Sequence, residues 1–188
     1  MITGIYKTFY DRVNAVIPKE RLLHDALSTI AFGTDASFYR LIPKLVIRAN
    51  SESEIIFIMK TAYELEVPVT FRAAGTSLSG QAQSNSVLVL ATHGFGGHKI
   101  LDGGLKITLQ PGLRGSYANS FLIPYGRRIG TDPASIDSAM IGGIAANNAS
   151  GMCCGTSENS YKTIAEIRVV LPDGTLLDTS DENSRIEF

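Results

Sequence analysis

A chain of 188 residues with 44% apolar content can bury a real core and suits one domain or two small lobes. Its net charge of −1 excludes the electrostatic footprint of a nucleic-acid or anionic-membrane binder, and no apolar run reaches the length of a membrane span. The N-terminus lacks the charged and apolar regions of a signal peptide, and the two cysteines, Cys153 and Cys154, are neighbours that suit neither a zinc pair nor a disulfide framework, so a reducing, cytoplasmic setting is expected.

Ile5, Phe9, Val13 and Val16 fall on one face at helical spacing. Pro18 then opens a second expected helix, Lys19 to Ile30, with Leu22, Leu23, Ala26, Leu27 and Ile30 inward. His24, alone among them, reads as an ordinary helix residue. Lys44 to Arg48 predicts a short buried strand. Ser51 and Glu54 have capping-box spacing ahead of a helix whose core face is Ile55, Ile58, Met59, Ala62 and Leu65. Pro68 stops that helix, and Val69 to Phe71 predicts the next strand. A helix crossing between two strands favours parallel pairing.

That strand runs into Arg72-Ala73-Ala74-Gly75-Thr76-Ser77-Leu78-Ser79-Gly80-Gln81. Small residues here let something lie against the backbone, and successive peptide N–H groups in such a turn form an anion-binding nest. The stretch Gly75 to Gly80 has the opening spacing of a Walker A loop, but Gln81-Ala82 stands where Lys and Ser or Thr are needed, which argues against an NTPase. The G-x-G-x-x-G dinucleotide pattern is also missing. Taken alone, the loop fits a pyrophosphate cradle and a ligand-free surface turn about equally well.

Val87 to Ala91 predicts another buried strand. His93 to His98 reads as a flexible surface connection; the two histidines lack a third ligand cluster, so no metal site is expected. Asp102-Gly103-Gly104 is a turn, Leu105 to Gln110 a strand closed by Pro111-Gly112, and Gly115 to Leu122 a helix ended by Pro124. Fifteen of the 18 glycines lie between Gly75 and Gly155, a density that a binding site would produce. Within that window Gly130 to Gly151 is dominated by small residues, with amides at Asn147 and Asn148. It suits a backbone packed under a large planar group, or equally a glycine-rich contact inside the core. Thr163 to Leu171 and Thr175 to Asp178 predict a hairpin about Pro172-Asp173-Gly174. Asp181 to Ser184 is a polar run.

Two blocks together, "VPVTFRAAGTSLSGQ" (67–81) and "GTDPASIDSAMIGGIAANNASGMCCG" (130–155), resemble the FAD-binding, PCMH-type domain of the FAD-linked oxidases. This is the vanillyl-alcohol-oxidase-like family, in its D-lactate dehydrogenase and glycolate oxidase branch. The resemblance covers nearly all of the chain from about Phe38. It implies an α+β fold of two small α/β subdomains with the flavin between them: an N-terminal helical segment (1–36), a first FAD-binding subdomain (37–92) and a second (93–188), cut before a substrate-binding cap domain.

The resemblance also implies roles. Arg72, Ala73, Ala74, Gly75, Thr76, Ser77 and Leu78 would wrap the FAD pyrophosphate, with Gln81 close by. Pro133, Ser138, Met140, Gly142 and Gly143 would lie along the ribityl chain and isoalloxazine, followed by Asn147, Ala149, Ser150 and Gly151. Backbone at Ile167 and Val169 would lie near the adenine. Many relatives have paired glycines at Ala73-Ala74. Those that attach FAD covalently through this loop have His where Thr76 stands, so FAD is expected to be non-covalent. The implied activity is oxidation of a small D-2-hydroxy acid, hydride passing from Cα to flavin N5 and electrons leaving to a separate acceptor such as an iron–sulfur domain. No residue of the chain stands out as the catalytic base. By itself the chain is expected to bind FAD without full activity; the competing class is a non-catalytic nucleotide-binding or interaction module.

Overall fold

The capping signal at Ser51 forms as the sequence predicts. Ser51 Oγ accepts the Glu54 N–H at 3.3 Å, and the Glu54 carboxylate reaches back one residue further, to the Asn50 N–H at 2.8 Å. From this cap helix α3 (Glu52–Glu64) runs with Ile55, Ile58, Thr61 and Ala62 buried. The structure, a computed structural model, describes residues 2–186.

The chain divides into two compact units. The first holds the chain up to Phe71, Ser77–Leu90 and the segment from Glu166 onward; the second holds Arg72–Thr76 and Ala91–Ala165.

In the first unit a four-stranded sheet has the order β1 (Leu22–Leu23), β2 (Leu45–Arg48), β4 (Val87–Leu90), β3 (Val69–Arg72). Strands β2 and β4 pair in parallel, Leu45 against Val87 through Arg48 against Leu90. So the crossover from β2 through α3 is followed by β4 inserted between β2 and β3. Both β2 and β4 are almost wholly buried, as unbroken apolar runs in parallel strands demand. Val46, Leu88 and Leu90 form one cluster, with Leu23 and Phe32 against it.

Helix α1 (Ile5–Asn14) buries Phe9 and Val13 and joins α3 through an Arg12–Glu64 ion pair at 2.7 Å. The next buried position is Ile17, while Val16 stays half exposed. The helix expected over Lys19 to Ile30 does not form as one piece. A 3₁₀ turn at Lys19–Arg21 leads into β1, whose two leucines pair antiparallel with Ile47 and Val46. Helix α2 (Ala26–Ala31) then starts afresh from an Asp25 cap, Ser28 N–H to Asp25 Oδ1 at 2.9 Å. The open sheet edge competes for Leu22 and Leu23, and the new register leaves Leu27 80% exposed and Ile30 51% exposed.

Strands β7 (Arg168–Val170) and β8 (Leu176–Asp178) form the expected hairpin, turned by Gly174 at φ 82°. It docks on α3: a side chain at Gly174 would sit 2.3 Å from Lys60 Cγ, and Arg168 pairs with both Glu52 and Asp178 at 2.8 Å. Hydrogen bonds from Ser180 first and Arg168 next hold the Asp178 carboxyl at a pKa of about 2, against an ordinary 3.8. A depressed folded-state pKa stabilises above the unfolded value and is lost as pH falls through the folded one. Acid titration followed by circular dichroism should therefore show stability falling between about pH 4 and pH 2, and Asp178→Asn should remove that share of the dependence. The polar end of the chain adds one element, helix α7 (Glu182–Ile186).

In the second unit the segment read as a flexible loop instead ends in a strand. Strands β5 (His98–Leu101) and β6 (Lys106–Leu109) pair antiparallel about Asp102, Gly103 and Gly104, all at positive φ. Helix α4 (Gly115–Leu122) follows, and His98 stacks on its Phe121 with ring centroids 3.7 Å apart. Two short helices, α5 (Ile141–Ala146) and α6 (Ser160–Thr163), complete the unit. Among the described residues no helix is long and apolar enough to cross a membrane.

Candidate cofactor site

Three backbone approaches within the second unit bring distant segments to one cavity. The Ala91 N–H donates to the Arg72 carbonyl at 3.1 Å, setting 91–93 beside the loop that leaves β3. The Gly112 N–H donates to Phe95 O at 2.8 Å, and a side chain at Gly112 would lie 2.4 Å from Thr92 O; only glycine admits that contact. Residues 111–115 then run antiparallel to 139–142, with Gly115 N–H to Ala139 O at 3.0 Å, Ile141 N–H to Leu113 O at 2.8 Å and Gly142 N–H to Pro111 O at 2.9 Å. The result is a cavity of about 540 Å³ lined by Ala73, Ala74, Thr92, His93, Arg114, Ser138 and Met140. That size lies in the range of small-molecule sites.

Four of these seven residues, Ala73, Ala74, Ser138 and Met140, belong to the two sequence blocks singled out above; Thr92, His93 and Arg114 do not. Thr92 Oγ1 lies 3.1 Å from His93 Nδ1. Arg114 stands at the N-cap position of α4 without a side-chain capping bond, forms an isolated bridge with Met140 and lies over the Tyr117 ring at 5.6 Å.

The loop itself has the chemistry of an anion cradle. Gly75 takes φ 69°, and Ala73 to Thr76 are half-buried. Among the described residues none of their four N–H groups donates to a protein acceptor. Half-buried amides without protein partners are donors held for water or a ligand. Arg72 is 7% exposed at the end of β3.

Helix α5 separates its two glycines. A side chain at Gly142 would meet Pro111 Cβ at 2.8 Å, so protein packing accounts for that glycine. One at Gly143 would meet nothing within 4 Å, which leaves room for a planar group to approach the backbone.

Other predicted positions have visible structural work. Ala149 O accepts from Thr131 Oγ1 at 2.7 Å and from Ser160 Oγ at 2.9 Å. Gly151 is pressed against Asp132, whose backbone oxygen lies 2.0 Å from where a Cβ would be. The Asp132 carboxylate accepts the N–H groups of Cys153 and Cys154 at 3.3 and 3.2 Å. Hydrogen bonding from Cys153, then Cys154, holds Asp132 below the usual carboxylate range, and Asp132 pushes the exposed Cys153 thiol up. Gly75, Thr76, Pro133, Gly142, Gly143, Asn147 and Ser150 lie in the same unit without lining the cavity. Ser77, Leu78, Gln81, Ile167 and Val169 belong to the first unit, where Ser77 Oγ donates to Gln81 Oε1 and Ile167 N–H to Thr179 Oγ1.

Comparison with known proteins points the same way. The chain is 31% identical over 168 residues to glycolate oxidase subunit GlcD of Escherichia coli (strain K12), covering 86% of this chain and 33% of that one. It is 30% identical over 166 residues to the mitochondrial D-lactate dehydrogenase (cytochrome) 1 of Saccharomyces cerevisiae, covering 82% and 27%. The chain thus spans a third or less of these curated relatives. The fold matches a solved alkyldihydroxyacetonephosphate synthase with a TM-score of 0.79 at 19% identity, over 96% of this chain and 36% of that one. Residues 43–180 match the family described as FAD binding domain, and the chain belongs to that family, the cofactor domain of the FAD-linked oxidoreductases.

Proposed function

We propose that this chain holds FAD non-covalently in the service of an enzyme that oxidises a small D-2-hydroxy acid. The observation that carries the reading is the second unit's cavity, where the loop with four uncommitted N–H groups shares its wall with Ser138 and Met140. The N–H groups of Ala73 to Thr76 take the negative charge of the diphosphate. Ser138 and Met140 form a small, mostly neutral wall, and Gly143 leaves its backbone open to a flat ring. When bound, FAD supplies the hydride acceptor for turning a C–OH into a C=O. Glycolate and D-lactate, named in the relatives above, are both 2-hydroxycarboxylates, which supports that substrate class.

Gly143→Ala separates cofactor contact from folding. Inside a helix the change should raise stability by up to about 1 kcal/mol, because alanine is the better helix former and the space is free. FAD affinity, read by equilibrium dialysis, should nevertheless fall by roughly tenfold. Unchanged affinity would remove Gly143 from the site.

The non-covalent attachment has its own readout, since His93 is an imidazole on the cavity wall. After acid precipitation of the loaded chain the flavin should appear wholly in the supernatant. A pellet that keeps its yellow colour, with a matching mass increase on the peptide containing His93, would establish a covalent bond instead.

A further inference from the structure

We infer that Arg114 makes the cavity an oxyanion subsite, recognising a phosphate or carboxylate with Thr92 and His93 beside it. Of the seven lining residues Arg114 is the one with a permanent charge, and no carboxylate lines the cavity. Among the described residues it has no ion pair; its guanidinium contact is the Tyr117 ring face, which leaves the N–H fork available. Its backbone is fixed on both sides, by the bridge to Met140 and by its place at the N-cap position of α4, so the charge is delivered to this wall by the fold. Ala73 and Ala74 line the same cavity, which sets Arg114 beside the peptide cradle. Thr92 and His93 add a hydroxyl and an imidazole already in contact with each other at 3.1 Å.

Two sources present such an oxyanion: the diphosphate of the cofactor and the carboxylate of a 2-hydroxy acid. The inference rests on the flavin reading. The test compares the wild-type chain with Arg114→Met, which keeps an apolar stem, and Arg114→Lys, which keeps the charge without the fork. Equilibrium dialysis measures retention of FAD and of riboflavin, which has no phosphate, across a salt series. The FAD-loaded proteins are then titrated with D-lactate and oxalate while the flavin absorption bands are followed.

If the diphosphate is the ligand, Arg114→Met binds FAD at least roughly tenfold more weakly with a flatter salt dependence. Riboflavin binding is then unchanged and Arg114→Lys lies between. If the carboxylate is the ligand, FAD retention is unchanged in Arg114→Met but the spectral response to D-lactate and oxalate is lost. Wild-type behaviour of Arg114→Met in both arms overturns the inference while the flavin reading stands. A wild-type chain that retains no FAD overturns the flavin reading, and this inference with it.

Discussion

Gly112→Ala is expected to lower the unfolding free energy by about 3 kcal/mol and to abolish flavin retention. The added methyl would lie 2.4 Å from the Thr92 carbonyl, 3.0 Å from that of Phe95 and 3.1 Å from that of Ala91. All three are backbone atoms, so no side-chain rotation relieves the collision. The two segments must part, and with them go the Gly112–Phe95 hydrogen bond and the placing of Thr92 and His93 beside Arg114 and Met140. A loss of that size lowers the thermal midpoint of a chain this long by roughly 6–12 °C. Gly96→Ala is the control: it lies in the facing segment, next to Phe95, with nothing within 4 Å of the new methyl, and should change stability by no more than about 0.5 kcal/mol. Equal midpoints for the two variants would show that the close approach at Gly112 does not hold the cavity together.

Glu54→Ala should cost the first unit about 3 kcal/mol. Both carboxylate oxygens of Glu54 meet the Arg21 guanidinium, at 2.7 and 2.8 Å, in a forked pair whose side chains are only 22% and 13% exposed. The same Arg21 donates to the Arg48 carbonyl at 3.0 Å, and Glu54 accepts from Asn50. The start of β1, the end of β2 and the first turn of α3 therefore meet at one pair of side chains. Hydrogen bonding from Arg21 is the leading cause that lowers the Glu54 pKa, so the carboxylate is the form the fold selects. Removing it strands a partly buried cation and frees the Asn50 N–H. The double change Arg21→Met with Glu54→Leu should be less damaging than Glu54→Ala alone, because no charge is left without its partner. Denaturant unfolding of the wild type, Glu54→Ala and the double variant checks this; a double variant less stable than Glu54→Ala would contradict it.

What the sequence shows of this fold follows the range of the interaction concerned. The cap at Ser51 and Glu54 and the turn at Gly174 depend on neighbours within a few residues, and each forms as the pattern predicts, whereas α3 ends at Glu64, ahead of the stop expected at Pro68, with Glu66 at φ 54°. Leu22 and Leu23 have helical spacing too, yet the edge of β2, some twenty residues on, takes them as a strand. His98 looks like loop when flanked by Gly96 and Gly97, and is strand because Leu109 pairs with it.

The site divides along the same line. The small-residue loop at Ala73 and the stretch through Ser138 and Met140 announce themselves by composition. Thr92, His93 and Arg114 do not, because they reach the cavity through hydrogen bonds to residues far along the chain. One local signal was available: Gly112 stands two residues before Arg114, in a segment whose turn needs only Pro111. The sequence also treats Gly142 and Gly143 as a pair, and the contact with Pro111 is what tells them apart.

The proposed flavin binding requires the peptide amides of Ala73 to Thr76 to grip the dinucleotide beside the second unit's cavity. Fluorescence anisotropy of FAD titrated with the chain tests this directly. A saturable rise at one flavin per chain is expected, reversed by ADP, which carries the diphosphate without the flavin. Anisotropy that stays at the free-FAD value throughout the titration, or a rise that ADP leaves untouched, would contradict it.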